Sequence, residues 1–97
     1  MRTRKRPPKH PGGILLRQYI EPLNITITEL SGILGVSRKT LSKITNEKGS
    51  ITANMALSLS RAFKNTPEFW LILQQNYDLW HASQESTDWE DIEPIAA

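Results

Sequence analysis

Residues 27–46, ITELSGILGVSRKTLSKITN, constrain the fold more than any other part of the chain. Their apolar residues form a single stripe when the segment is read as a helix, a tight turn and a second helix. These residues are Leu30, Leu34, Val36, Leu41 and Ile44. Two short helices that cross steeply need a small side chain where they touch and a turn residue that tolerates a left-handed backbone. Ser31 and Gly35 meet these two needs, so the segment predicts two short helices packed across a tight turn.

Size and composition narrow the classes of protein to which this chain can belong. It has 97 residues and no cysteine, which suits one domain with a modest core and excludes a disulfide scaffold or a cysteine-ligated zinc site. No apolar run approaches the ~20 residues of a membrane-spanning helix. The basic start also lacks the apolar segment of a secretory signal. We therefore expect a cytoplasmic protein with no membrane contact.

The order of caps and breakers predicts an all-α fold of five helices and no strand. Helix one is expected over about residues 11–20, where Pro22 forces it to stop. Its predicted buried side consists of Ile14, Leu15 and Tyr19. The other four helices are each expected to begin after a hydroxyl N-cap, namely Thr26, Ser37, Thr52 and Thr66. Glu29 completes a capping box at helix two, and Pro67 fits the first position of helix five.

Charge divides the chain into parts with different expected partners. Residues 1–80 hold all twelve Lys and Arg residues but only five of the ten acidic residues, and the other five acids follow. A basic body suits nucleic-acid phosphates, which would repel an acidic tail. We expect a basic flexible arm at 1–10, a helix-turn-helix domain at 11–82 and an acidic tail at 83–97. The arm either lies along DNA or is unstructured, and the tail either binds a basic protein or only aids solubility.

The polar face of helix three is suited to the DNA major groove. With Leu41 and Ile44 turned inward, four side chains remain outside, Arg38, Lys39, Ser42 and Lys43. Arg and Lys donate to guanine O6 and N7, and Ser or Lys can reach base edges or phosphates. A charge run is usually only a solvated helix face. Here it coincides with the exposed face of the second helix of the pair, so we expect these four residues to read bases.

Phosphate contacts are expected at the starts of helices two and three and beyond the end of helix three. Free backbone N–H groups at a helix N-terminus bind anions, and hydroxyl, amide and ammonium groups extend such contacts. The expected residues are Thr26, Thr28, Ser37, Thr40, Thr45, Asn46 and Lys48.

Helix five is apolar on more than one side, so it needs more than one partner surface. We expect a homodimer contact through Phe69, Trp70, Leu73, Tyr77 and Trp80. The alternative is that a small domain uses all these side chains in its own core. A dimer would place two recognition helices one DNA turn apart, so its double-stranded operator would be an inverted repeat.

Residues suited to catalysis are sparse. His10 and His81 lie near opposite ends of the sequence. The chain has no thiol, no glycine-rich phosphate loop and no paired metal-ligand motif. We therefore expect a protein that is not an enzyme and that has no metal site and no cofactor.

Four segments resemble, in order, the HigA (VapI-type) antitoxins, a branch of the lambda-repressor-like, XRE-type helix-turn-helix family. They are HPGGILLRQYIEPL, ITELSGILGVSRKTLSKITN, ITANMALSLSRAF and TPEFWLILQQNYDLW. The HPG opening and the PEFW helix are more specific to this branch than the helix-turn-helix itself. The resemblance implies a five-helix lambda-repressor-like DNA-binding domain, a dimer, repression of its own operon and neutralisation of a HigB/RelE-like toxin that cleaves messenger RNA.

One departure from the wider family affects the expected DNA contacts. Many lambda-type repressors begin helix two with a glutamine that bridges phosphate and base contacts, but Ile27 stands in that place here. Base readout is therefore expected to rest more on helix three. The alternative function is a stand-alone XRE-type transcriptional repressor without a toxin partner.

Overall fold

The computed structural model describes residues 6–95, which form five helices and no strand. Helix α1 begins as an α-helical turn, Pro11–Ile14, and continues as a π-helix, Leu15–Ile20. The others are α2 (Ile27–Leu34), α3 (Arg38–Thr45), α4 (Ala53–Phe63) and α5 (Pro67–Glu85), followed by a 3-10 turn, Asp88–Asp91. The predicted all-α fold of five helices, with a helix-turn-helix at α2 and α3, is confirmed.

The helix-turn-helix begins and ends where its local sequence predicted. Thr26 Oγ1 accepts a hydrogen bond from the Glu29 N–H at 3.0 Å, and the Glu29 carboxylate accepts one from the Thr26 N–H at 3.2 Å. Gly35 follows α2 with a left-handed φ of 70°. Ser37 then caps α3 by accepting from the Thr40 N–H at 3.1 Å. Both helices are thus fixed by interactions within three residues of their ends.

Every helix contributes to one apolar core. Its fully buried side chains include Leu15 from α1, Leu30 from α2, Leu41 from α3, Leu59 from α4 and Trp70 from α5. The Trp70 indole N–H donates to the Asn65 side-chain oxygen at 2.9 Å, so the polar atom of this buried ring is satisfied. The two helices of the helix-turn-helix therefore pack on the same core as the longest helix, α5.

A close backbone approach joins α1 to the end of α3. A Cβ atom placed on Gly12 would lie 1.7 Å from the Ile44 carbonyl oxygen, which leaves no room for any side chain. The Gly12 N–H donates to His10 Nδ1 at 2.9 Å, so the same residue is held at the cap of α1. The bare backbone of α1 thus determines where the last turn of α3 lies.

The division into a basic arm, a domain and an acidic tail stays a prediction, and the described residues show where the chain is packed or helical near both predicted boundaries. Pro8 and His10 are buried, so the described part of the predicted arm packs against the helices at two positions. Residues 1–5 of that arm lie outside the described residues. At the other end α5 continues to Glu85, three residues past the predicted boundary at 82. Among the described helices, none has the length and apolar character to cross a membrane.

Gly12→Ala should lower the free energy of unfolding by about 1–3 kcal/mol, because the new methyl group would overlap the Ile44 carbonyl and force α1 away from α3. Urea unfolding followed by circular dichroism measures the change. Gly32→Ala is the matched control, since nothing lies within 4 Å of its added Cβ in α2. That control should stabilise the protein by about 0.5–1 kcal/mol. Equal effects of the two substitutions would contradict the close approach.

Candidate nucleic-acid interface

The outer face of α3 carries three cations near one another. Arg38, Lys39 and Lys43 are exposed, and Ser42 is partly exposed beside them. Within residues 6–95, none of the three cations forms an ion pair with an acidic side chain. The core residues Leu41 and Ile44 occupy the opposite face of the helix. The four side chains predicted to read bases therefore share one surface whose positive charge is not neutralised by neighbouring described residues.

A shallow depression lies between the start of α2 and the outer face of α3. It is lined by Ile27, Arg38, Lys39 and Ser42, whereas Lys43 is not among its lining residues. Ile27 is partly exposed there and packs against the apolar core on its other side. From the sequence, Ile27 was noted in the place of a glutamine that contacts DNA in many lambda-type repressors, but base reading was expected to rest more on α3 and Ile27 was left out of the base-reading set. Its position at the first residue of α2 was the signal that could have included it.

Most of the residues predicted to contact phosphates are exposed at helix ends. Thr26, Thr28, Ser37 and Thr40 surround the starts of α2 and α3, and Asn46 and Lys48 follow α3. Several of their side chains are already engaged locally. The Ser37 hydroxyl donates to Thr40 Oγ1 at 2.9 Å, and the Asn46 side-chain amide donates to Ser42 Oγ at 3.4 Å. These bonds hold the polar groups in place at the surface.

Thr45 is a correction to the predicted phosphate set. Its side chain is only 6% exposed, and its hydroxyl donates to the Ser42 carbonyl at 3.1 Å. The cause is helical spacing, because residue 45 follows Leu41 by four positions and so lies on the same buried face. Thr45 therefore supports the end of α3 from inside and presents no group to a ligand.

Trp70 is a correction to the predicted dimer contact. It is fully buried in the core of its own chain, with the rings of Tyr19 and Phe69 about it at centroid distances of 5.2 and 5.1 Å. The alternative interpretation, in which the aromatic residues serve the core, thus holds for this residue. Phe69 remains exposed, and Leu73 and Trp80 are partly exposed.

The structure brings together two histidines that are far apart in the sequence. The Tyr77 ring lies between them, with its centroid 4.7 Å from that of His10 and 4.2 Å from that of His81. Tyr77 is therefore engaged within its own chain, although it was predicted at the dimer contact. Among the described residues, no group of three or more His, Cys, Asp or Glu side chains is placed to hold a metal ion.

Burial lowers the pKa of His10 below its ordinary value, although the Glu47 carboxylate, a hydrogen bond with the Gly49 backbone and the Asp78 carboxylate act in the opposite direction. Burial therefore favours the neutral form of the ring. A neutral ring is also what the cap of α1 requires, because His10 Nδ1 must keep its lone pair to accept from the Gly12 N–H. The histidine consequently has a structural role in holding α1.

The chain matches known proteins over nearly all of this architecture. The profile of the helix-turn-helix family matches residues 16–71. An uncharacterised helix-turn-helix transcriptional regulator of Haemophilus influenzae is 48% identical over 82% of this chain and 73% of its own length. Antitoxin HigA-1 of Vibrio cholerae is 44% identical over 82% of this chain and 75% of its own. The solved structure of Pseudomonas aeruginosa antitoxin HigA with the higBA promoter covers 92% of this chain and 99% of its own, at 34% identity and a TM-score of 0.85.

Proposed function

This chain belongs to the helix-turn-helix family, in its HigA branch, and from that premise we propose that it is a type II antitoxin that represses its own operon. As a dimer it binds operator DNA, and it neutralises a HigB/RelE-like toxin. The observation that supports DNA binding most directly is the cationic outer face of α3, which carries Arg38, Lys39 and Lys43 without ion-pair partners among the described residues. Its working place is then the cytoplasm, where bacterial operators lie.

Base reading falls to the first turns of α3, as in other helix-turn-helix proteins whose second helix enters the major groove. Arg38 and Lys39 line the depression beside Ile27, so they can donate to base edges on the floor of the groove. Lys43 lies one turn farther along α3 and outside the depression. Its flexible side chain reaches a base or a phosphate at the groove margin.

Phosphates are held at the two helix starts. The capping box of α2 uses the Thr26 and Glu29 N–H groups, which leaves those of Ile27 and Thr28 without an intrahelical partner. The Glu29 carboxylate would repel a phosphate there, whereas the first turn of α3 contains no acidic residue. The start of α3, with Ser37 and Thr40, is therefore the stronger of the two phosphate sites. Asn46 and Lys48 contact DNA phosphates beyond the C-terminal end of α3.

Lys39→Ala should weaken operator binding by about 1–3 kcal/mol because a base contact is lost, with a smaller loss on unrelated DNA. Fluorescence anisotropy with a duplex from the promoter of its own gene measures both affinities at one salt concentration. Arg61→Ala is a charge-matched control in the last turn of α4, outside the helix-turn-helix, and should leave the preference for operator over unrelated DNA unchanged. An equal loss for Lys39→Ala on both duplexes would reassign Lys39 to phosphate binding.

The dimer contact is proposed on one face of α5. Phe69, Ile72 and Leu79 are 37%, 53% and 47% exposed, and their spacing places them on the same side of the helix. Leu73 and Trp80, from the predicted set, fall on this face too. Trp70 and Tyr77 point toward the rest of the chain instead. An apolar stripe of this kind on a small domain is suited to an isologous contact with a second copy.

Ile72→Glu should convert the dimer to a monomer at tens of micromolar, because two such carboxylates would be buried without partners where the copies meet. Sedimentation velocity measures the mass in solution. Leu23→Glu is the matched control, since Leu23 is similarly exposed, at 59%, but lies in the connection between α1 and α2 and not on α5. The proposal fails if the unmodified protein is already monomeric at these concentrations.

The segment after α5 is proposed to contact the toxin. Acidic residues of the 3-10 turn, Asp88–Asp91, flank the exposed Trp89, and Ile92 follows at 74% exposure. A nuclease that cleaves messenger RNA on the ribosome needs a basic surface to bind its substrate. Carboxylates that surround apolar side chains complement such a surface by charge and by burial.

Gentle isolation from native cells should recover this protein together with a small basic protein in stoichiometric amount, identified by mass spectrometry. Removing residues 86–97, which leaves α5 intact, should weaken that complex, as isothermal titration calorimetry would measure. Recovery of only DNA and a second copy of this chain would instead indicate a stand-alone repressor without a toxin partner. If truncation leaves toxin affinity unchanged, the tail has no part in the contact.

A further inference from the structure

Ile27 is the apolar member of an otherwise polar surface. It lines the depression between α2 and α3 together with Arg38, Lys39 and Ser42. The three partners all carry groups that bond to base edges or phosphates, whereas the Ile27 side chain has no donor or acceptor. The exposed part of Ile27 would contribute nothing to a surface that recognised only phosphates and hydrogen-bonding groups.

The major groove offers one apolar group to such a side chain. Each base pair presents donors and acceptors there, and only thymine adds a methyl group, at C5. A side chain without polar atoms can therefore distinguish a thymine from the other bases by covering that methyl group. It supplies no hydrogen bond, so it complements the donors of Arg38 and Lys39 and does not replace them.

The structure holds Ile27 rigidly enough for this role. It is the first residue of α2, directly after the complete capping box of Thr26 and Glu29. One side of it packs against the core, which leaves part of the side chain in the depression. Branching at Cβ restricts its first side-chain torsion, so little conformational entropy is lost on contact. A rigid methyl-bearing surface at a fixed distance from α3 results.

We propose that Ile27 reads a thymine C5-methyl group, so that each operator half-site contains a required T·A pair beside the bases contacted from α3. The inference rests on the operator binding proposed above. It assigns a specificity-determining contact to α2 and a base preference to one position of the half-site. Arg38, Lys39 and Ser42 supply the polar part of readout, and Ile27 supplies its apolar part.

Replacing single thymines by uracil tests the proposal, because this substitution removes the methyl group and leaves the hydrogen-bonding groups in place. The probe is a duplex containing the inverted repeat that footprinting locates in the promoter of this gene. At one thymine in each half-site, uracil should weaken binding by about 4-fold, the effect of exposing one buried methyl group. The same loss should appear at the symmetric thymine of the other half-site, and 5-methylcytosine paired with guanine should restore part of it.

The loss must also depend on Ile27. Ile27→Ala should bind the thymine and uracil duplexes with equal affinity. Ile33→Ala is the control and should still bind the uracil duplex about 4-fold more weakly, since Ile33 is 66% exposed in the same helix but does not line the depression. Circular dichroism at the assay temperature checks folding. Where Ile27→Ala proves unstable, Ile27→Thr keeps the branch at Cβ but replaces the ethyl group by a hydroxyl, and it should reduce the difference between the thymine and uracil duplexes.

Two results would overturn the inference while leaving the proposed function intact. One is that the unmodified protein binds its operator with the same affinity when uracil replaces any single thymine. The other is a uracil loss that persists unchanged in the Ile27 variant. Failure of the unmodified protein to bind any promoter duplex would reject both the operator binding and the inference.

Discussion

The contact between the Gly12 backbone and the Ile44 carbonyl oxygen is the constraint on which the rest of the structure depends. It allows α1 to lie against the end of α3 with no side chain between them. His10 fixes the same point from another direction, because its ring caps α1 through the Gly12 N–H and packs on Tyr77 of α5. Three helices, α1, α3 and α5, thus meet at one short segment, and the orientation of α3 follows from these contacts.

The hydrogen bond that caps α1 depends on a neutral histidine, because only a neutral ring can accept from the Gly12 N–H. Burial keeps the His10 pKa low despite the nearby Glu47 and Asp78 carboxylates, so Nδ1 remains an acceptor. The exposed ion pair between Arg17 and Glu47, at 3.9 Å, adds little by comparison because water screens it. The neutral ring therefore keeps the cap of α1 intact, and the contact between α1 and the end of α3 depends on close packing more than on ion pairing.

The sequence was sufficient for features that depend on neighbouring residues. The hydroxyl caps, the capping box at Thr26 and the left-handed Gly35 all involve atoms within a few positions, so their patterns predict them directly. Contacts between distant segments were not predictable in this way. Nothing local indicates that Gly12 meets Ile44 or that Tyr77 joins His10 to His81. Trp70 was assigned to the wrong surface because a helix that is apolar on several sides does not reveal which side faces the core. The burial of Thr45, in contrast, could have been predicted, because its spacing of four residues from Leu41 places it on the same face of α3.

The position of the reading surface follows from the same packing. Leu30 and Leu41 bury α2 and α3 in one core, so the start of α2 and the outer face of α3 keep a fixed relation. Hydrogen-bonding side chains from α3 and an apolar side chain from α2 then meet in one depression. A surface of this kind recognises both the pattern of donors and acceptors and the thymine methyl group, which polar contacts alone leave unread. Because Ile27 belongs partly to the core, the proposed contact with DNA would lose little side-chain entropy, and the proposed specificity at that base pair would come from the rigidity of the fold itself.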